Sequence, residues 1–290
     1  MVEVGHAPDD NLELAYRLVG EELKKKVVEA LGPDWSWEGR RALDFGCGSG
    51  RLLRQFLDEA RVAELHGSDI SEEMVAWVRG NLCPPIAGVT VNGDRPPLDY
   101  PDEHFDLITA MSVFTHIADG WSEWLLEMHR ILKPGGTLIA TYLDSSCAGS
   151  LTPLLWDEER VGMSAFGFAD PDLSWPNVLH SQWWLREHWG RAFEIARMIP
   201  GEDVTHDNGV TWPTHGWIVL RRRAVRPTPA ALEREDPDDP RYLEARRYQY
   251  ELLRAEGEML RRRRQELTES ASWRLTAPLR RAKQLLRRRG

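Results

Sequence analysis

The chain has 290 residues, enough for one large domain and an appendage, and its ordinary apolar fraction contains no run of about eighteen apolar residues that would span a membrane. Three cysteines (Cys47, Cys83, Cys147) fall at no metal-ligand spacing and, being odd in number, argue against a disulfide framework. The net charge of −9 hides an asymmetry: residues 241–290 hold 15 Lys and Arg against 6 Asp and Glu, while the first 240 hold 22 against 40. An acidic body of this kind offers no basic face to a long stretch of nucleic acid.

The opening Met-Val-Glu-Val-Gly-His lacks the basic-then-apolar layout of a secretion signal, and a reduced, cytoplasmic protein is expected. From Asn11 to Leu31, apolar residues at 12, 15, 18, 19, 23, 27 and 31 mark an amphipathic helix, a lid or brace over residues 1–34. Arg41–Phe45 reads as the first strand. It enters a turn with glycine at alternate positions, Gly46, Gly48 and Gly50, and a helical pattern (Leu52, Leu53, Phe56, Leu57) follows. Glycine lets the chain turn sharply and lets a ligand approach the backbone without meeting a Cβ. Strand, glycine turn and helix together make a nucleotide site in an open α/β sheet. Arg51 stands where a dinucleotide fingerprint needs its third glycine, and no Gly-Lys-Ser/Thr follows for a P-loop. What remains is a carboxylate, Asp44, two residues ahead of the glycines. It suits a cationic ligand better than a phosphate.

The second strand, Glu64–Ser68, delivers Asp69 at its carboxyl end, 23 positions after Gly46, near the offset of an acid that grips ribose hydroxyls. Ser71 caps the next helix, with Glu72 and Glu73 in its first turn. Val89–Val91 is a third strand ending in Asn92-Gly93-Asp94. Phe105–Met111 is a buried parallel fourth strand, and Ser112-Val-Phe-Thr-His-Ile117 lies just past its end. Asp119–Leu132 is a helix stopped by Lys133-Pro-Gly-Gly136, and Thr137–Tyr142 a fifth strand. Residues 145–192 are less regular; Phe193–Ile199 and Trp217–Leu220 are two further strands.

Residues 224–240, rich in proline and acid, read as a linker to a basic tail over 241–290. Arg241–Leu267 is a charged helix. Its heptad seam holds Leu243, Tyr250, Leu253, Leu260 and Leu267 but also Gly257, Arg246 and Arg264, so a solvated single helix and a homodimer helix are both open. The last piece, from Ser272, interleaves Trp273, Leu275, Leu279, Leu285 and Leu286 with seven basic residues and no acid. Such a segment suits an anionic membrane surface, at the inner face for a cytoplasmic protein, or is a solubilising tail.

Asp44-x-Gly46-x-Gly48-x-Gly50 resembles motif I of the class I S-adenosylmethionine (SAM)-dependent methyltransferases. The approach Leu98-x-Tyr-Pro-Asp-Glu-His-Phe-Asp-Leu-Ile and the string Ile-Leu-Lys-Pro-Gly-Gly-Thr-Leu resemble two more of that family's motifs. The resemblance covers residues 35–223. It implies a doubly wound, seven-stranded Rossmann-like α/β sheet of order 3-2-1-4-5-7-6, with a C-terminal helical extension. It also implies S-adenosyl-L-methionine as cofactor: the methionine end on Asp44, Gly46, Gly48 and Gly50, the ribose on Asp69, the adenine on Ile70 and Asp94, with Phe45, Cys47 and Met111 also at the cofactor. The string Ser272-Trp-Arg-Leu-Thr-Ala-Pro-Leu-Arg280 resembles tails of bacterial surface-polysaccharide glycosyltransferases and methyltransferases, which implies a sugar or glycolipid acceptor. A small-molecule metabolite or lipid acceptor, and a SAM-binding scaffold without turnover, are the alternatives; nucleic acid ranks behind them.

Methyl transfer to a hydroxyl needs a base for its proton. His116, four residues after Ser112, is placed for that role or for packing on the cofactor wall. His180 and His188, at i, i+8 in the region that recognises acceptors in such enzymes, are further candidates; no metal is expected. Seven of the thirteen tryptophans lie between residues 151 and 220, mostly as core, with one or two expected to line an acceptor pocket.

Overall fold

The computed structural model describes residues 9–152, 154–167, 175–205 and 211–270, together with 273 and 276. Helix α1 (Asp9–Leu31) precedes strand β1 (Arg41–Phe45); then follow β2 (Glu64–Asp69), α2 (Glu72–Leu82), β3 (Gly88–Val91), β4 (Phe105–Ala110), α3 (Trp121–Ile131) and β5 (Leu132–Tyr142). A cap contains α4 (Ser145–Leu151), α5 (Glu158–Val161), the hairpin β6 (Met163–Phe166) and β7 (Asn177–His180), and α6 (Gln182–His188). The chain then runs through β8 (Phe193–Ile199), the small hairpin β9 (Asp203–Thr205) and β10 (Thr211–Pro213), β11 (Gly216–Arg222), α7 (Pro229–Glu233) and α8 (Pro240–Glu269).

Seven strands form one sheet in the order β3-β2-β1-β4-β5-β11-β8, parallel through β5 and antiparallel in the last two. That is the order the family resemblance implied. The sheet is buried on both sides, and alternate residues feed opposite layers. Leu43, Phe45, Ile108, Leu138 and Ile218 pack under α3 and α6. Ala42, Leu107, Ile139 and Val219 face the layer that includes Val27 of α1 and Val75 and Val78 of α2. The chain reverses direction across the sheet between β1 and β4, and this opens a crevice at the carboxyl ends of the strands.

Three expectations change. The helix expected after the glycine turn is instead two 3₁₀ turns, Leu53–Phe56 and Glu59–Arg61. Leu53 and Phe56 are both buried, and an i, i+3 pair aligns on a 3₁₀ turn as well as on an α-helix. The proline-rich segment read as a linker docks on the domain: Leu232 of α7 is fully buried, Ser122 donates a hydrogen bond to Glu233, and Arg191 donates to the carbonyls of Ala231, Leu232 and Arg234. The first half of α8 is docked as well, not solvated. Tyr242, Tyr248 and Leu252 are buried, and Gln249 extends the edge of β6 by pairing with both backbone groups of Ala165 (2.6 and 2.8 Å). Composition gave these segments a linker signature because their surface is polar; the few apolar anchors decide where they sit. Of the basic tail, 271, 272, 274, 275 and 277–290 lie outside the described residues. No helix among the described residues is long and apolar enough to cross a membrane.

Candidate functional site

The crevice is built around the glycine turn. Gly46, Gly48 and Gly50 all have positive φ (74°, 52° and 74°), a region in which L side chains are strained. The N–H groups of Gly46 and Cys47 donate to the Ser68 carbonyl at the end of β2 (2.7 and 3.0 Å), and the Gly50 N–H closes the turn on the Cys47 carbonyl (2.9 Å). The three glycines are not equivalent. A Cβ on Gly46 would lie 2.3 Å from Val113, and one on Gly50 would lie 2.7 Å from Leu82, so the protein's own side chains fill those spaces. Over Gly48 only the Met74 sulfur lies within 4 Å, at 3.6 Å. A ligand can therefore come down on the backbone at Gly48. Helix α1 braces the turn from outside: Tyr16 shares a hydrogen bond with Ser49 Oγ (2.8 Å), and the guanidinium groups of Arg51 and Arg54 lie over the Tyr16 ring.

Two carboxylates flank the turn. Asp69 is buried at the tip of β2, where it accepts from the Gly48 N–H (2.7 Å) and the Ser71 N–H (2.9 Å). Asp44 is buried at the end of β1 and accepts a hydrogen bond from Thr109 Oγ1 (2.8 Å). Burial pushes the Asp44 carboxyl up to about 7; the Thr109 hydroxyl opposes that shift and the negative charge of Asp69 adds to it. Among the described residues, neither acid has an ion-pair partner. Two buried acids with no cation are the complement of a positively charged ligand.

Beyond Asp69, Ile70 holds an exposed apolar side chain (41%) at the mouth of the crevice. Asn92, passed over in favour of its neighbour Asp94, accepts from Ser68 Oγ (2.7 Å) and ties the end of β3 to β2. Asp94 itself is exposed, and its carbonyl accepts from Trp124 Nε1 (3.2 Å). Met111 is partly buried against the α1–α2 layer. Two of the residues expected at the cofactor direct their side chains into the core. Phe45 packs on the Trp124 ring (4.8 Å), and the Cys47 sulfur lies over Gly67 in the core, where burial raises its pKa. Only their backbone faces the turn.

The matches to known proteins bear on the same segment. Residues 43–140 match a family described as "Methyltransferase domain". A methyltransferase from Mesorhizobium loti, described as S-adenosylmethionine-dependent, superimposes with a TM-score of 0.52 at 19% identity, covering 68% of this chain and 96% of that one. Residues 43–140 thus match a methyltransferase family, within a fold shared with a SAM-dependent methyltransferase of known structure. The chain is 34% identical over 124 residues to a demethylmenaquinone methyltransferase of Deinococcus radiodurans, covering 39% of this chain and 51% of the relative. It is also 34% identical to a ubiquinone biosynthesis O-methyltransferase of Ruegeria pomeroyi, covering 39% and 45%. This chain thus spans about half the length of the curated relatives it matches.

The histidines divide sharply. His180 and His188, expected as candidate bases, are both core residues of the cap. His180 is 1% exposed beside the rings of Trp184 and Trp189, and burial pushes it down to about 3. His188 stacks on Trp184 and has both nitrogens engaged, Nδ1 with the Leu232 carbonyl (2.6 Å) and Nε2 with the Tyr242 hydroxyl (3.3 Å). Four of the seven tryptophans of residues 151–220 (Trp183, Trp184, Trp189, Trp217) are buried, and Trp175 is half exposed. His116 stays at the crevice, its Nδ1 hydrogen-bonded to the Pro176 carbonyl (2.9 Å). His215 lies just before β11, and its Nδ1 is 3.2 Å from Ser112 Oγ. No spacing could have joined Ser112 to His215, which are 103 residues apart; antiparallel pairing of β11 with β5 brings them together.

Proposed function

We propose that this protein is a SAM-dependent methyltransferase that acts on a hydroxyl group. The observation that carries the reading is the cationless pair Asp44 and Asp69 on either side of a turn open at Gly48. The residues fit the cofactor: Asp44 would neutralise its ammonium group, the open backbone at Gly48 would admit the methionine end, Asp69 would take the ribose hydroxyls with its remaining lone pairs, and Ile70 with the Asn92–Asp94 turn would border the adenine. When bound, SAM supplies a methyl group already activated by a sulfonium, so the protein's work is orienting the acceptor, excluding water and moving a proton.

For the acceptor we retain a sugar or glycolipid of surface-polysaccharide assembly, supported by the tail string Ser272–Arg280. Four consecutive arginines (261–264) and the exposed Leu253 and Leu267 of α8, continued by the basic tail, are the surface we place at an anionic membrane at the inner face; a homodimer through 241–267 is the competing use of that helix. A second reading, a lipid-like small molecule, is favoured by the names of the curated relatives, which concern quinones and, for a Mycolicibacterium smegmatis protein 31% identical over 105 residues, fatty acids. Both readings are tested with SAM labelled in its methyl group and an extract of the source cells, fractionated into polysaccharide, lipid and water-soluble pools. Label in the polysaccharide or lipid-linked sugar pool supports the first acceptor and label in simple lipids the second. Binding of SAM with label in no pool would reject turnover and leave a scaffold.

A further inference from the structure

On the side of the crevice away from Asp69, two histidines come from different parts of the chain. The loop after β4 carries Met111 to Ile117, and Val113 from this loop fills the space against Gly46, so the loop abuts the glycine turn. Ser112 is held with φ 56°, a left-handed conformation unusual for a residue with a side chain, and its N–H donates to Thr141 Oγ1 on β5 (2.8 Å). That posture sets the Ser112 hydroxyl beside Nδ1 of His215. His215 enters at the same edge of the sheet because β11 starts where β5 ends, with Gly216 opposite Tyr142. His116, four residues on in the same loop, lies near enough for its charge to bear on His215, as do Asp144 after β5 and Lys26 of α1. Burial keeps both imidazoles neutral at pH 7, His215 being pushed down to about 4.

The hydrogen bond of His116 fixes its tautomer, whereas the Ser112 hydroxyl, which donates and accepts, is compatible with either tautomer of His215. A carbonyl only accepts, so His116 must carry its proton on Nδ1 to meet Pro176, which leaves the Nε2 lone pair free to take a proton. In the arrangement in which Ser112 donates its hydroxyl proton to Nδ1 of His215, that ring carries its own proton on Nε2. One ring then offers an acceptor and the other a donor, and a hydroxyl is both at once.

We propose that His116 and His215, the latter oriented by Ser112, are a catalytic pair that grips an acceptor hydroxyl. The inference rests on the methyltransferase reading above and adds the acceptor half of the site. His215 Nε2–H donates to the acceptor oxygen and orients its lone pair, while the acceptor O–H points at His116 Nε2. As the oxygen bonds to the methyl carbon, the carbon–sulfur pair leaves with sulfur, which becomes a neutral thioether. The hydroxyl proton moves to His116 Nε2, giving an imidazolium that returns it to water. Ser112 is a positioning residue in this scheme.

The test is ¹⁵N NMR of the imidazole rings in the full chain, assigned with His116→Asn and His215→Asn, beside calorimetric titration of SAM into each sample. The expected result at pH 7 is two neutral rings in opposite tautomers, His116 with Nδ1–H and His215 with Nε2–H; Ser112→Ala should shift only His215 toward a tautomer mixture. Both Asn variants should bind SAM within about twofold of wild type and lose about 10²-fold or more of methyl incorporation into the extract. The same tautomer in both rings, a charged ring at pH 7, or undiminished incorporation in His215→Asn would overturn the pair. Failure of the wild type to bind SAM would instead sink the methyltransferase reading, and the tautomer result would still stand or fall by itself.

Discussion

Asp44 offers the sharpest perturbation. In the ligand-free protein its carboxyl is held at about 7 against an ordinary value of 3.8, chiefly by burial. A group whose pKa is raised by folding binds its proton more tightly in the native state, so its own contribution to stability falls as pH rises from about 4 to 7. A shift of roughly three units at 1.36 kcal/mol each sets a ceiling of about 4 kcal/mol on this cost at pH 8. Asp44→Asn keeps the carbonyl that accepts from Thr109 and removes the charge. The difference in stability between Asp44→Asn and wild type should therefore be small near pH 4, grow through pH 5–7 in favour of the variant, and level off above pH 8. Urea midpoints across pH measure it, and the difference cancels the titration of the histidines, which both proteins share. A difference that does not change with pH would refute the burial argument. With SAM present the preference should invert, because the ligand's ammonium group stabilises the ionised carboxylate: the variant should bind SAM at least tenfold more weakly at pH 8, consistent with about 1.5–3 kcal/mol for a hydrogen bond to a charged group.

Further outcomes follow from other parts of the molecule. His180, His188 and His215 are held neutral at about 3, 4 and 4; lowered pKa values make the unfolded chain bind more protons below about 6.5, so stability should fall as pH drops from 6.5 toward 4, read as a declining urea midpoint in the wild type. Leu232→Ala empties a fully buried site under α7 and should cost about 2–4 kcal/mol, and truncation at Arg223 should destabilise the chain further, since it removes the partners of His188 and Arg191. Gly46→Ala should unfold or strongly destabilise the domain because its Cβ meets Val113. Gly48→Ala, whose Cβ would meet only the Met74 sulfur at van der Waals distance, should cost about 1–2 kcal/mol for its positive φ and weaken SAM binding more than it weakens the fold. Tyr16→Phe should cost about 1 kcal/mol and loosen SAM severalfold through the brace on Ser49, as seen by titration.

The sheet was legible because its parallel strands are short and marked off by glycine, proline or a capping residue: β1 before Gly46, β2 before Ser71, and the apolar run Thr137–Tyr142 of β5 after Pro134 and Gly135. The carboxylates at the strand tips were legible for the same reason, since a strand end and a turn fix where a side chain can stand. Residues that depend on contacts across the chain were not. His215 reaches Ser112 only through the antiparallel return of β11, and His188 looked available until the Leu232 carbonyl and the Tyr242 hydroxyl, 44 and 54 residues away, were seen to engage it. Composition misled at α7 and α8 for a related reason. A surface of arginine, proline and acid says nothing of one leucine or tyrosine that finds a pocket.

Calorimetric titration of the purified full chain with SAM, and separately with its demethylated product, reaches the centre of the account most directly. Saturable binding of both at one site, weakened in Asp44→Asn and in Asp69→Asn, is the expected result. Heats of dilution alone for both compounds, from a chain shown to be folded, would contradict it.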